Sequence, residues 1–247
     1  MTVKYPDLQG KHVLVTGGAT GIGRALSLAF DQQNCNVSYL DIDADAGKTL
    51  QHELKNGRFI SVDIRDVSAM QRAISELETA FGPVDVLINN AANDQRHSLA
   101  DLTVSDWDNL MNVNLRSYFY SAQHVQERMK IAGGSIINLS SISHLLGISG
   151  YPAYSTAKAA IHGLTKSLAR ELGESNIRVN TLTLGWVATE KQKQLWLTKE
   201  LEAEWLKNQC IKEMVKPRDI ANAALFLAST TSSMVTGQSL VIDGGRT

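Results

Sequence analysis

Short β-branched runs alternate with amphipathic stretches along the whole chain. The apolar runs predict strands near 12–16 (HVLVT), 37–41 (VSYLD), 58–62 (RFISV), 84–89 (VDVLIN), 134–139 (GSIINL), 177–183 (IRVNTLT) and 238–242 (QSLVI). Between them, periodicity near 3.6 predicts helices over roughly 21–33, 43–55, 66–81, 105–131, 153–173 and 217–228. Strand–helix alternation of this kind is the mark of a parallel sheet joined by crossover helices. The fourth and fifth runs are almost continuously apolar, which suits strands covered on both faces. No repeat or low-complexity tract interrupts the pattern, so residues 1–247 read as a single doubly wound α/β domain.

One stretch departs from the alternation. Residues 186–214, WVATEKQKQLWLTKELEAEWLKNQCIKEM, are charged and carry Trp196 and Trp205. They read either as a surface helix with an apolar seam or as a substrate lid, since they follow a strand end, where α/β sheets bind ligands.

Composition narrows the partners. The 247 residues are 43% hydrophobic and 20% charged, with a formal net charge of −1, so no basic field is available for nucleic acid or anionic lipid. The opening MTVKYPDLQGKHVLV has no apolar leader behind a basic stretch, and no run approaches the ~18 apolar residues of a membrane span. A cytoplasmic protein is expected. Cys35 and Cys210 match no metal-ligand spacing and read as reduced structural thiols, with neither disulfide nor bound metal.

Candidate chemistry begins after the first strand. TGGATGIGRAL places Gly17, Gly21 and Gly23 in the pattern T-G-x-x-x-G-x-G, with Thr20 and Ile22 between them. Glycines there allow a tight turn, a close approach of phosphate to main-chain N–H groups and close helix–strand packing, with the helix N-terminus facing the anion. A purely structural turn would use the same residues. Eighteen residues past Gly23, the second strand ends in Asp41, followed by Ile42. A carboxylate there accepts hydrogen bonds from an adenosine ribose and repels a 2′-phosphate, favouring NAD over NADP. Asp63, followed by Ile64, ends the third strand and reads as an adenine-end contact or a helix N-cap. Asn89 reads as structural, and Asn90, Ala91 and Ala92 as lining the cofactor.

Tyr154 and Lys158, in YPAYSTAKAAIHGLT, are four residues apart on a predicted helix, so their head groups converge. Together these motifs are specific. TGGATGIG, NNAA, NVNL, INLSS, YSTAK, IRVNTL and GQSLVIDGG stand in the order and at the distances of the short-chain dehydrogenase/reductase family, which the sequence resembles over its whole length. The resemblance implies a Rossmann-like seven-stranded parallel sheet, a homotetramer and a catalytic tetrad of Asn114, Ser141, Tyr154 and Lys158. Spacing selects Ser141, thirteen residues before the tyrosine, over its neighbours Ser140 and Ser143. Tyr154 is then the base, Ser141 binds the reacting oxygen, Lys158 supports the phenolate and holds the nicotinamide ribose, and Asn114 holds a relay water. Where the family has Pro-Gly, this chain has Leu184-Gly185, yet Gly185, Val187 and Thr189 still match positions beside the nicotinamide.

The substrate is less legible. NDQRH, Asn93 to His97, sets five hydrogen-bonding side chains beside the inferred nicotinamide site, which suits a sugar better than a steroid or fatty chain; a polar surface loop would look the same. NNAANDQRH, SISHLLG and the Gly-Trp-Val-x-Thr stretch resemble the subgroup that oxidises aldoses at the anomeric carbon to lactones. That likeness places Asn93, Ser143 and Trp186 beside Ser141, with Arg96 and His144 as further candidates. His144 also reads as a loop histidine without a role, and Trp186 as a sugar-stacking ring or a lid anchor. The rival functions are a 3-oxoacyl reductase, against which Asp41 argues, and a non-catalytic NAD-binding protein, against which the intact tetrad argues.

Overall fold

The computed structural model describes residues 3–247, and its elements follow the hydrophobic pattern closely. In chain order they are β1 (His12–Thr16), α1 (Gly21–Asp31), β2 (Asn36–Asp41), α2 (Ala44–Glu53), β3 (Gly57–Ser61), α3 (Val67–Phe81) and β4 (Val86–Asn89). The second half runs α4 (Val104–Met111), α5 (Ser117–Met129), β5 (Gly134–Ser141), α6 (Ser143–Leu146), α7 (Pro152–Leu172), β6 (Ile177–Leu184), α8 (Glu190–Leu195), α9 (Lys199–Lys207), α10 (Pro217–Ala228) and β7 (Ser239–Ile242).

All seven strands are parallel, in the order β3-β2-β1-β4-β5-β6-β7, with helices on both faces. Strand alternation divides the core. Val13 and Val15 of β1 pack with Leu26 and Phe30 of α1 and Leu225 of α10, while Leu14 between them packs on the other face with Ile74 of α3 and Val125 of α5. The strand order reverses between β1 and β4, and at such a switch point the carboxyl ends of the strands open a crevice.

Local chemistry sets the helix ends. Asp43 and Asp66 cap α2 and α3 by accepting from the N–H of Ala46 and Ala69, and Thr103 forms a capping box with Asp106 at α4. Pro152 and Pro217 stand in the first turns of α7 and α10, where the missing N–H costs nothing.

Two elements differ from the sequence pattern. The predicted helix 105–131 is α4 and α5 joined by a π-helical turn, Asn112–Arg116. Asn114 sits in that turn, and its amide Nδ2 donates to Leu110 O at 2.9 Å and Asn93 O at 3.0 Å. A side chain inserted among main-chain partners opens the ladder by one residue, as π-bulges do. The fifth strand extends past 139 to Ser141, with Ser141 paired to Leu184 at the end of β6. Residues 186–214 form α8 and α9, neither of which contains a buried residue. No helix among the described residues is long and apolar enough to cross a membrane.

Candidate active site

The carboxyl ends of β1, β2, β4, β5 and β6 border a cavity of about 1640 Å³. Its first half is made by the glycine-rich loop. Gly17 has φ +63°, and a Cβ there would lie 2.8 Å from Ala91 Cα. A Cβ on Gly23 would lie 1.8 Å from Gly17 O, so only glycine lets α1 start this close to the loop. Asn90 fixes the arrangement by donating through Nδ2 to Thr16 O at 3.0 Å and Gly17 O at 2.8 Å. Thr20, the N-cap residue of α1, makes no side-chain cap bond, leaving first-turn N–H groups uncapped on the cavity wall. Such a helix start suits a phosphate.

Asp41 takes Ala19 N–H at 2.9 Å and Asp43 N–H at 3.1 Å on separate oxygens. Each oxygen keeps a lone pair for a hydroxyl. Ile42, 68% exposed, and Ile64 supply apolar wall, and Thr20, Gly21, Ile22, Ala91, Ala92, Gly185, Val187 and Thr189 also line the cavity. Asp63 is held bidentately by Arg65, whose guanidinium keeps its carboxyl below the usual carboxylate range; the cap of α3 is Asp66, so Asp63 is not an N-cap. Gly23→Ala is expected to weaken binding of a nicotinamide dinucleotide by about 10²-fold and to lower the thermal midpoint, because insertion into a filled space costs about 1–3 kcal/mol. Fluorescence titration and calorimetry check both.

The second half is built around α7 and the end of β5. Tyr154 and Ser141 both line the cavity, and the Ser141 hydroxyl accepts from Ser143 N–H at 3.1 Å. Burial and the nearby Asp94 charge push the Tyr154 phenol above its ordinary range, against the opposing pull of the Ser141 hydroxyl. Ser140 also borders the cavity, but its buried hydroxyl is spent on Lys158 O, to which it donates at 2.7 Å. Ser143 Oγ is buried without a hydrogen-bond partner and lines the cavity.

Lys158 is 2% exposed and lies beneath the tyrosine instead of on the cavity wall. Its Nζ donates to Leu139 O at 2.9 Å and Tyr118 Oη at 3.1 Å, and stands 5.7 Å from the centre of the Tyr154 ring. Burial lowers its pKa to about 7. Asn114 is also off the wall, with both amide hydrogens spent on main-chain carbonyls and Oδ1 accepting from Asn93 N–H at 3.0 Å. It braces the loop after β4.

Comparison with known proteins identifies the family. Residues 17–247 match the family model described as Enoyl-(Acyl carrier protein) reductase. The "Probable galactose dehydrogenase GalD" of Rhizobium meliloti is 46% identical over 248 residues, covering 98% of this chain and 97% of that protein. The chain belongs to the short-chain dehydrogenase/reductase family. The D-xylose 1-dehydrogenase of Caulobacter vibrioides is 42% identical over 246 residues, covering 98% of this chain and 97% of that protein. A doubly substituted short-chain dehydrogenase/reductase of Serratia marcescens superposes with a TM-score of 0.91 at 30% identity, covering 97% of this chain and 99% of that one. The chain is thus an oxidoreductase, and dehydrogenases of this family use nicotinamide cofactors.

Around Tyr154, this short-chain dehydrogenase/reductase places three residues that the motifs did not single out, Tyr118, Tyr151 and Gln192. Tyr118, fully buried in α5, presents its hydroxyl to Lys158. Tyr151 meets Tyr154 edge-on at 5.5 Å, and the Arg96 guanidinium lies 4.0 Å above the Tyr151 ring centre. Asp94 and Gln192 meet across the cavity, and Gln192 Oε1 accepts from Trp186 Nε1 at 2.8 Å. Asn93 turns its own Oδ1 to Gln95 N–H. His144 is not on the cavity wall; its Nδ1 lies 2.7 Å from Ser141 O, and its ring packs against His162. Asn89 is structural, bonded to Asn138 and Ser121 within the core.

Proposed function

We propose that this enzyme oxidises an aldose at the anomeric carbon to the lactone, with NAD as oxidant and Tyr154 as base. The observation that carries the substrate class is the wall beside Tyr154: Asn93, Asp94, Arg96, Ser143 and Gln192 surround it with hydrogen-bonding groups, and Trp186 and Tyr151 add flat rings. Such a set matches a polyhydroxylated ring and would leave buried polar groups unpaired against a fatty chain. The names of the galactose and xylose dehydrogenase relatives support the same class.

When bound, the nicotinamide ring supplies the hydride acceptor and a positive charge beside the phenol. Tyr154 takes the proton of the anomeric hydroxyl, and the Ser141 hydroxyl holds the reacting oxygen. Lys158 stabilises the phenolate from below through its charge. The glycine loop and the α1 N-terminus hold the pyrophosphate, and Asp41 holds the adenosine ribose with its hydroxyls, favouring NAD. Asp63, Ile42 and Ile64 flank the adenine. Asn114 serves by fixing the loop that carries Asn93 and Asp94. We also propose self-association as a tetramer, supported by the outward Leu240 and Val241 of β7, 41% and 40% exposed.

The test is reduced-nicotinamide absorbance with NAD or NADP and a panel of pentoses and hexoses, followed by lactone trapping with hydroxylamine. Turnover of aldoses with NAD, with a trappable product, is expected. Turnover confined to acyl or ketone substrates removes the sugar reading while leaving the tetrad in place.

A further inference from the structure

We propose that Asp94 and Gln192 form a specificity element that reads the sugar hydroxyls remote from the reacting carbon, Asp94 accepting from them and Gln192 holding the carboxylate in place. This rests on the aldose reading above and identifies which side chains discriminate among aldoses.

Asp94 stands on a braced loop. Asn114 bonds both the N–H and the carbonyl of Asn93, and His97 N–H donates to Gly150 O at 2.8 Å. From the other side, Gln192 of α8 donates Nε2 to Asp94 Oδ2 at 2.7 Å, and Lys191 donates Nζ to Asp94 Oδ1 at 3.0 Å. Gln192 is itself oriented by Trp186, whose ring packs edge-on against Trp205 of α9 at 5.5 Å. The amide is therefore fixed at both ends. Each carboxylate oxygen of Asp94 spends one lone pair on these donors and keeps another, and both residues line the cavity that holds Tyr154.

An ionised carboxylate is acceptor-only, so it matches hydroxyl hydrogens and nothing else on a sugar. Although burial opposes it, Lys191 and Gln192 hold the Asp94 carboxyl below the usual carboxylate range, keeping that character at neutral pH. A simple latch between loop and α8 is the weaker account. The Lys191 side chain is 61% exposed, and such ion pairs contribute little. Trp186 provides a ring that orients a pyranose or furanose against the carboxylate, and Arg96, held over the Tyr151 ring, adds a donor beside it.

The experiment compares kcat/KM for the aldose the enzyme oxidises best with a set of its monodeoxy analogues, one hydroxyl removed at a time. For the unaltered enzyme, removal of one remote hydroxyl is expected to cost about ten- to a hundredfold, the scale of a hydrogen bond to a charged group. Asp94→Ala should lose that factor on the parent sugar and almost nothing on that analogue, so that the preference collapses. Lys191→Met, which breaks only the outer contact, should lower both by the same factor. If Asp94→Ala does not fold, as judged by its thermal transition, Asp94→Leu, which has a similar shape and no acceptor, is read instead and the same collapse is expected. An equal loss on parent and analogue, or a preference that survives the substitution, overturns this proposal alone. An unaltered enzyme that oxidises no aldose overturns the aldose reading and this proposal with it.

Discussion

Tyr154→Phe is expected to lower turnover by about 10²-fold or more while leaving the affinity for the nicotinamide cofactor close to that of the unaltered enzyme. The substitution removes one oxygen and keeps the ring. That ring packs edge-on against Tyr151 and sits above Lys158, contacts that phenylalanine retains. What disappears is the phenolic oxygen, the group on the cavity wall beside Ser141 proposed to take the substrate proton. Steady-state absorbance gives kcat, and quenching of tryptophan fluorescence gives cofactor binding. Near-full turnover in this variant would mean that the proton leaves by a route other than Tyr154.

Lys158→Met should separate activity from stability, with turnover falling by about 10²-fold or more and the unliganded protein becoming harder to unfold at neutral pH. Burial brings the Lys158 amine down to about 7, whereas a lysine in the unfolded chain titrates near 10.4. Between those values the unfolded state binds the extra proton, so stability rises as pH climbs through this window, and below it the cost is present in full. A difference of this size corresponds to several kcal/mol, on the order of 4. Methionine removes the amine and its pH dependence. Leu139 O keeps a donor in the Tyr118 hydroxyl at 3.3 Å, so the carbonyl is not orphaned. Urea unfolding between pH 7 and 10 is the check: a higher and flatter stability profile for the variant is expected. A drop at every pH would show that Lys158 stabilises the fold it is buried in. Natural enzymes commonly keep such costly groups where activity needs them.

The sequence pattern was most informative where the physics is local. Strand and helix positions follow from side-chain period, and the ends of β1, β2 and β4 could be placed because Gly17, Asp41 and Asn90 directly follow their apolar runs. The Tyr154–Lys158 pair lies within one helix, so its spacing carried its geometry, although no spacing could say that the amine would turn from the cavity toward Leu139. Contacts between distant segments stayed hidden. Asp94 and Gln192 are 98 residues apart and meet only because the β4 and β6 ends bring their loops to one cavity. Tyr118, 40 residues before Lys158, looked like any aromatic on a helix face. The π-helical turn escaped for a related reason: Asn114 opens it by bonding Asn93 in another segment, and helical periodicity takes no account of such a partner.

The segment formed by α8 and α9 has threonine caps at both helices, Thr189 and Thr198, but buries no residue of either helix. It therefore owes its helices to local hydrogen bonds and its place to a few polar and aromatic contacts, while the sheet beneath owes its order to apolar burial. Those are two separate free-energy scales within one chain. The segment can unravel and re-form many times for each global unfolding event, so amide protons there are exposed to solvent exchange long before those of β1 or β5. On warming, amide exchange across α8 and α9 is expected to accelerate well before that of β1 or β5, with activity lost ahead of the fold. Heat inactivation would then report on the least buried part of the chain.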